Sequence, residues 1–85
     1  MFKLLITAKA KKQIKLITKL YERRAIAQIF EDIKEDPLVG KPLEDELTGQ
    51  YSYTVRVYRI LYKIDWNDKT VTILKADHRG VVYKK

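Results

Sequence analysis

Tyr51-Ser-Tyr-Thr-Val-Arg-Val-Tyr-Arg-Ile-Leu-Tyr-Lys-Ile-Asp65 is the stretch that decides the fold. In it Tyr53, Val55 and Val57 alternate on odd numbers, whereas Tyr58, Ile60, Tyr62 and Ile64 alternate on even ones. Successive strand side chains point to opposite faces, so a change of phase at Val57-Tyr58 predicts a tight turn or bulge there. Asp65-Trp-Asn-Asp-Lys69 is polar turn chemistry. Beyond it, Val71, Ile73 and Lys75 line one side of a last strand, and Thr72, Leu74 and Ala76 line the other. Three consecutive strands predict an antiparallel meander.

Upstream the period is helical. Phe2 to Ile6 is a short, mostly apolar run that reads as a first strand, and Thr7 is placed to cap a helix beginning Ala8-Lys9-Ala10. Ala10, Ile14, Ile17 and Tyr21 recur at spacings of four, three and four. A second stripe of Ile26, Ile29, Phe30 and Ile33 is out of phase with the first, pointing roughly 150° away at ~100° per residue. One straight helix cannot bury both, which predicts a break near Tyr21 to Arg24 and a helical hairpin ended by Pro37. Asp36 to Gln50 holds both prolines and two of the three glycines, and reads as a loop with little regular structure. The expected fold class is α+β: an N-terminal strand that joins the sheet, a helical hairpin, then a three-stranded antiparallel meander, with the helices packed on one face of the sheet. At 85 residues the chain has room for one core, so residues 1–85 are expected to form a single domain.

Composition narrows the chemistry. There is no cysteine and one histidine, which leaves no disulfide framework and no thiolate or multi-imidazole zinc site. No metal and no cofactor is expected. The apolar runs are far shorter than the ~20 residues that span a bilayer, and Met1 to Leu5 is too short for a signal peptide. The expected location is cytoplasmic, with no membrane partner. The net charge of +7 is unevenly distributed, with +7 in residues 1–25, −5 in 26–50 and +5 in 51–85. Lys9, Lys11, Lys12, Lys15 and Lys19 give the first helix a basic outer face, which suits a polyanion such as RNA or DNA and equally describes a solvated lysine-rich helix.

The candidate chemistry lies in the C-terminal half, where Arg56, Tyr58, Arg59, Tyr62, His78, Arg79 and Tyr83 sit beside predicted strands. Arginine offers a fixed fork of donors to a phosphate, His and Tyr stack on unpaired bases, and either can move a proton. Period two puts Arg59 on the face opposite Tyr58 and Ile60, toward solvent. The same residues also have a plain reading: a solvated strand arginine, tyrosines packed on a sheet, a surface histidine and a tail anchor.

Two motifs resolve this. Tyr58-Arg-Ile-Leu-Tyr62 is similar to the YRhhY strand of the RelE/ParE superfamily, the toxins of prokaryotic type II toxin-antitoxin systems; His78-Arg-Gly-Val-Val-Tyr83 is similar to its terminal HRxxVY. The element order resembles the family's along essentially the whole chain. RelE-like members cut mRNA in the ribosomal A site without a metal, by attack of a ribose 2′-hydroxyl on the adjacent phosphate; ParE-like members inhibit DNA gyrase without catalysis. The RelE-like branch is the reading preferred here, a gyrase inhibitor or a catalytically degenerate relative being the alternative. The resemblance implies that Arg59 and Arg79 clamp the scissile phosphate and that His78 or Tyr83 transfers a proton or stacks on a base. Best-known mRNA-cutting members carry lysines on the strand before YRhhY; Ser52-Tyr53-Thr54 stands here instead, with Arg56 as the nearby charge. Implied partners are mRNA and the ribosome, met by Arg56 and the helix lysines, and a cognate antitoxin, through which alone DNA contact is expected.

Overall fold

The computed structural model describes residues 1–17 and 19–78, with His78 defined by its backbone. Strand β1 (Lys3–Ile6) leads through Thr7 into helix α1 (Ala8–Lys15), followed by helix α2 (Leu20–Glu35). A 3-10 turn at Pro37–Val39, a two-residue strand β2 (Lys41–Pro42) and a second 3-10 turn at Asp45–Leu47 lead to β3 (Gln50–Val55), β4 (Tyr58–Asp65) and β5 (Thr70–His78). The sheet order is β1-β5-β4-β3-β2, with β1 parallel to β5 and every other pair antiparallel. The expected α+β arrangement holds: the first strand joins the meander and both helices lie over one face. Among the described residues no helix is long and apolar enough to cross a membrane.

One buried cluster joins the layers. Ala10 and Ile17 from the α1 region and Ile26, Ile29, Phe30 and Ile33 from α2 meet Tyr58, Ile60 and Tyr62 of β4 and Val71, Ile73 and Ala76 of β5. Each fully buried aliphatic side chain of this set contributes about 1.5–3 kcal/mol. Thr7 caps α1 as expected, its Oγ1 accepting from the Ala10 N–H at 3.2 Å. Two lysines in the last turn, Lys12 and Lys15, complement the negative end of the helix dipole.

Three expectations are corrected. Helix α1 ends at Lys15 and α2 begins at Leu20, so the break precedes Tyr21–Arg24, and Tyr21 is exposed. The first stripe closes at Ile17, whose carbonyl accepts from Arg23 Nε at 2.8 Å; α2 then takes its inward face from Glu22, Ile26, Ile29 and Ile33, which leaves Tyr21 about 100° off that face. The loop from Asp36 to Gln50 contains β2, a fifth strand. It is tied to the sheet by Tyr62, whose hydroxyl donates to the Pro37 carbonyl at 2.6 Å and accepts from the Gly40 N–H at 2.9 Å; Pro42 is tolerated because β2 is an edge. Finally, β5 does not keep Val71, Ile73 and Lys75 on one side. Its register moves from Tyr62↔Ile73 to Leu61↔Lys75, leaving Leu74 as the extra residue of a bulge, so the core face runs Val71, Ile73, Ala76.

Candidate functional site

The face of the sheet away from the helices is read off the register. Arg59 and Lys63 of β4, Ser52 and Thr54 of β3, Lys75 and Asp77 of β5 and Lys41 of β2 share it, because opposed residues in a ladder lie on the same side. Arg59 is exposed at its centre and lines a groove of about 660 Å³ with Lys41, Ser52, Tyr53 and Thr54. Its Nε donates to Ser52 Oγ at 3.3 Å. Lys34–Glu31 is the only ion pair among the described residues, so none of Arg59, Lys41, Lys63 and Lys75 is ion-paired with a described carboxylate. The surface presents positive charge, hydroxyl groups and an open arginine fork, a combination suited to phosphate.

Asp77 is the register partner of Arg59, but its Oδ1 accepts instead from Gln13 Nε2 at 2.7 Å. The cause lies at the end of β1. Pairing between β1 and β5 stops at Ile6↔Ile73, the chain turns off into α1, and side chains take over the exposed edge of β5: Thr7 Oγ1 donates to the Leu74 carbonyl at 3.3 Å and Gln13 Oε1 accepts from the Ala76 N–H at 2.7 Å. Neither Gln13 nor Asp77 stands out in the sequence; the ladder register brings Asp77 to the arginine, and a hydrogen bond brings Gln13 to Asp77.

Tyr58 and Tyr62, the two tyrosines of the YRhhY run, belong to the core. The Tyr58 hydroxyl donates to Glu22 Oε2 at 2.7 Å, and burial first and the glutamate second push its pKa up to about 12. Burial likewise pushes Tyr62 up to about 12. Both are held in the neutral form at physiological pH, and both serve packing.

Other sequence-predicted site residues are divided. Arg56 forms the β3–β4 turn with Val57 in a left-handed conformation, φ 55°. It faces a separate groove of about 890 Å³ between that turn and the start of α2, shared with Lys19, Tyr21, Ala25 and Val57. Lys9, Lys11, Lys12, Lys15 and Lys19 are all exposed. Lys11 reaches a groove at the β1 edge beside Leu5 and Thr72, whereas Lys19 lies beside Arg56. The backbone of His78 pairs with Tyr58. Arg79 and Tyr83 lie outside the described residues. Among the described residues no cluster of three or more His, Asp or Glu side chains is arranged to hold a metal ion.

Comparison with known proteins follows this geometry. Residues 4–83 match the family model of the ParE toxin of the type II toxin-antitoxin system parDE. Toxin RelG of Mycobacterium tuberculosis is 47% identical over 57 residues, a match that spans 66% of this chain and 66% of RelG. The crystal structure of the toxin-antitoxin complex RelBE2 from the same organism contains a chain 36% identical, superposing with a TM-score of 0.83 over 92% of this chain and 98% of that one. The archaeal RelE-RelB complex from Pyrococcus horikoshii OT3, at 24% identity, shares the fold with a TM-score of 0.76 over 95% and 98% of the two chains.

Proposed function

The chain belongs to the ParE toxin family of type II toxin-antitoxin systems, and on that premise we propose that it is a ribosome-dependent endoribonuclease that cleaves mRNA in the A site. The observation that carries this reading is the exposed Arg59, which shares an open sheet face with Lys41, Lys63 and Lys75 and forms no ion pair with a described carboxylate. In the reaction the 2′-hydroxyl attacks the adjacent phosphorus, the O2′–P bond forms, and the P–O5′ bond breaks to leave a 2′,3′-cyclic phosphate and a free 5′-hydroxyl. Arg59 binds the non-bridging oxygens as charge builds on the phosphorane, with Arg79 as the second arm of the clamp. His78 or Tyr83 moves protons or stacks on the base. The buried Tyr58 and Tyr62, with their raised pKa values, take no part in proton transfer. Geometry imposed by the ribosome supplies the rest, so cleavage of free RNA is weak.

The partners in this reading are mRNA, ribosomal RNA and a cognate antitoxin, in the cytoplasm. RelBE2 is a toxin-antitoxin complex, which supports the antitoxin. An acidic antitoxin segment over the exposed lysines of α1 would bind less tightly as salt rises. Primer extension on a defined message in a purified translation system tests the enzyme: new 5′ ends inside codons, dependent on ribosomes and lost in Arg59→Ala.

A second reading, a non-catalytic gyrase inhibitor, is favoured by Ser52 and Thr54 on the strand beside Arg59, where no lysine stands, and by the family model itself. Trapped gyrase–DNA complexes with an intact message would select it.

A further inference from the structure

Arg59 and Asp77 oppose each other across β4 and β5, and charges of opposite sign in that position attract by default. The structure turns each elsewhere: Arg59 toward Ser52 of β3, Asp77 toward Gln13 of α1. Gln13 is fixed at both ends of its amide. Its oxygen accepts from the Ala76 N–H, a donor left without a strand partner where β1 ends, and so its nitrogen is directed at the Asp77 carboxylate.

We propose that Gln13 is a positioning residue, which holds Asp77 away from Arg59 and so keeps the arginine fork open for an RNA phosphate. The inference rests on the reading of Arg59 as a phosphate ligand. Its physical basis is competition: a carboxylate and a phosphate occupy the same planar donor edge of a guanidinium, so an Arg59 engaged by Asp77 is closed to RNA. An amide at position 13 prevents this without adding charge to the face.

The test compares wild type, Gln13→Glu, Gln13→Leu, Asp77→Asn and the Gln13→Glu/Asp77→Asn double variant. Two quantities are measured: the NMR signal of the Arg59 Nε–H, and affinity for a short single-stranded RNA by fluorescence anisotropy at low and high salt. Glutamate at position 13 still accepts from Ala76, preserving the edge of β5, but repels Asp77; leucine removes the donor without adding charge. Both single variants at position 13 are expected to shift the Arg59 signal and weaken RNA binding about two- to fivefold, the range of an exposed ion pair. The double variant, with wild-type net charge, restores both, and Asp77→Asn alone binds at least as tightly as wild type. An unmoved Arg59 signal in the position-13 variants, or a binding loss that Asp77→Asn does not rescue, overturns the proposal. Arg59→Ala reports on the underlying reading separately. Loss of one phosphate contact lowers the salt slope by about 0.7 for a single strand. Unchanged affinity and slope would remove Arg59 as an RNA ligand, while the NMR signal still decides whether Gln13 controls the Arg59–Asp77 pairing.

Discussion

Arg59 and Asp77 are direct partners in the β4–β5 ladder and yet form no ion pair, because Ser52 engages one and Gln13 the other. An arginine kept from that carboxylate keeps donors available for a ligand. The means is topological: β1 is shorter than β5, α1 begins where β1 ends, and the first two turns of that helix supply the side chains that the missing strand would have replaced.

Tyr62 anchors the loop that forms β2. Replacing it with Phe leaves the buried Gly40 N–H and the Pro37 carbonyl without their partner, and is expected to cost about 1–3 kcal/mol. Gly40→Ala attacks the same contact from the other side, since its Cβ would land on the Tyr62 hydroxyl. The need for glycine is one of space. Both variants are expected to melt several degrees below wild type, as about 4–8 °C accompanies each kcal/mol in a domain of this size. Equal melting temperatures would show that the tether is dispensable.

Stability is expected to fall at high pH. Tyr58 and Tyr62 hold their protons to about pH 12 in the fold, whereas tyrosine in the unfolded chain loses its proton near 10. Above pH 10 the unfolded state therefore binds fewer protons and gains on the native one. The contribution is complete below pH 10 and declines above it, by about 1.4 kcal/mol per pH unit for each tyrosine. Denaturant titrations from pH 8 to 11.5 check this, and Tyr58→Phe should make the decline shallower.

Arg56 sits at φ 55°, a conformation that suits glycine, in a two-residue turn between Val55 and Tyr58. Arg56→Gly is expected to leave stability unchanged or raise it by up to about 1 kcal/mol, since relief of strain is offset by the freer unfolded chain. If Arg56 contacts ribosomal RNA, the same variant loses activity without losing stability. Unfolding curves together with cleavage assays separate these effects.

Thr7 bonds both the Ala10 N–H and the Leu74 carbonyl, joining the start of α1 to the bulge of β5. Thr7→Ala is expected to cost about 0.5–2 kcal/mol. Thr7→Ser, which keeps the hydroxyl, should recover most of this loss in urea denaturation.

Much of this architecture is legible in the sequence where a single residue type acts locally. Thr7 announces a cap, Pro37 ends α2, and the change of phase at Val57-Tyr58 marks a turn, because caps, prolines and pleats obey short-range rules. The features that sequence misses depend on distant partners. Tyr21 fits the first helical stripe by spacing, but Ile17 already closes that stripe and Glu22 takes the inward place opposite Tyr58. Strand β2 exists through Tyr62, more than twenty residues downstream. The bulge at Leu74 cannot be inferred from alternation alone, since Leu74 and Ala76 share a phase and only Ala76 is buried. At the candidate site the exposure of Arg59 follows from period two, whereas Asp77 reaches it only through the β4–β5 register, and Gln13 reaches Asp77 only through a hydrogen bond at a sequence separation above sixty. The family resemblance supplied what periodicity does not, namely which exposed arginine to examine.

The most direct test of the account is ribosome-dependent cleavage by Arg59→Ala in a purified translation system. Arg59 is exposed and its one side-chain hydrogen bond among the described residues is to Ser52, so the variant is expected to keep its stability within about 0.5 kcal/mol. Loss of a group that stabilises transition-state charge is expected to slow cleavage about 10²- to 10³-fold. A folded variant that cuts mRNA as fast as wild type, or a wild-type protein that leaves the message intact on active ribosomes, would contradict it.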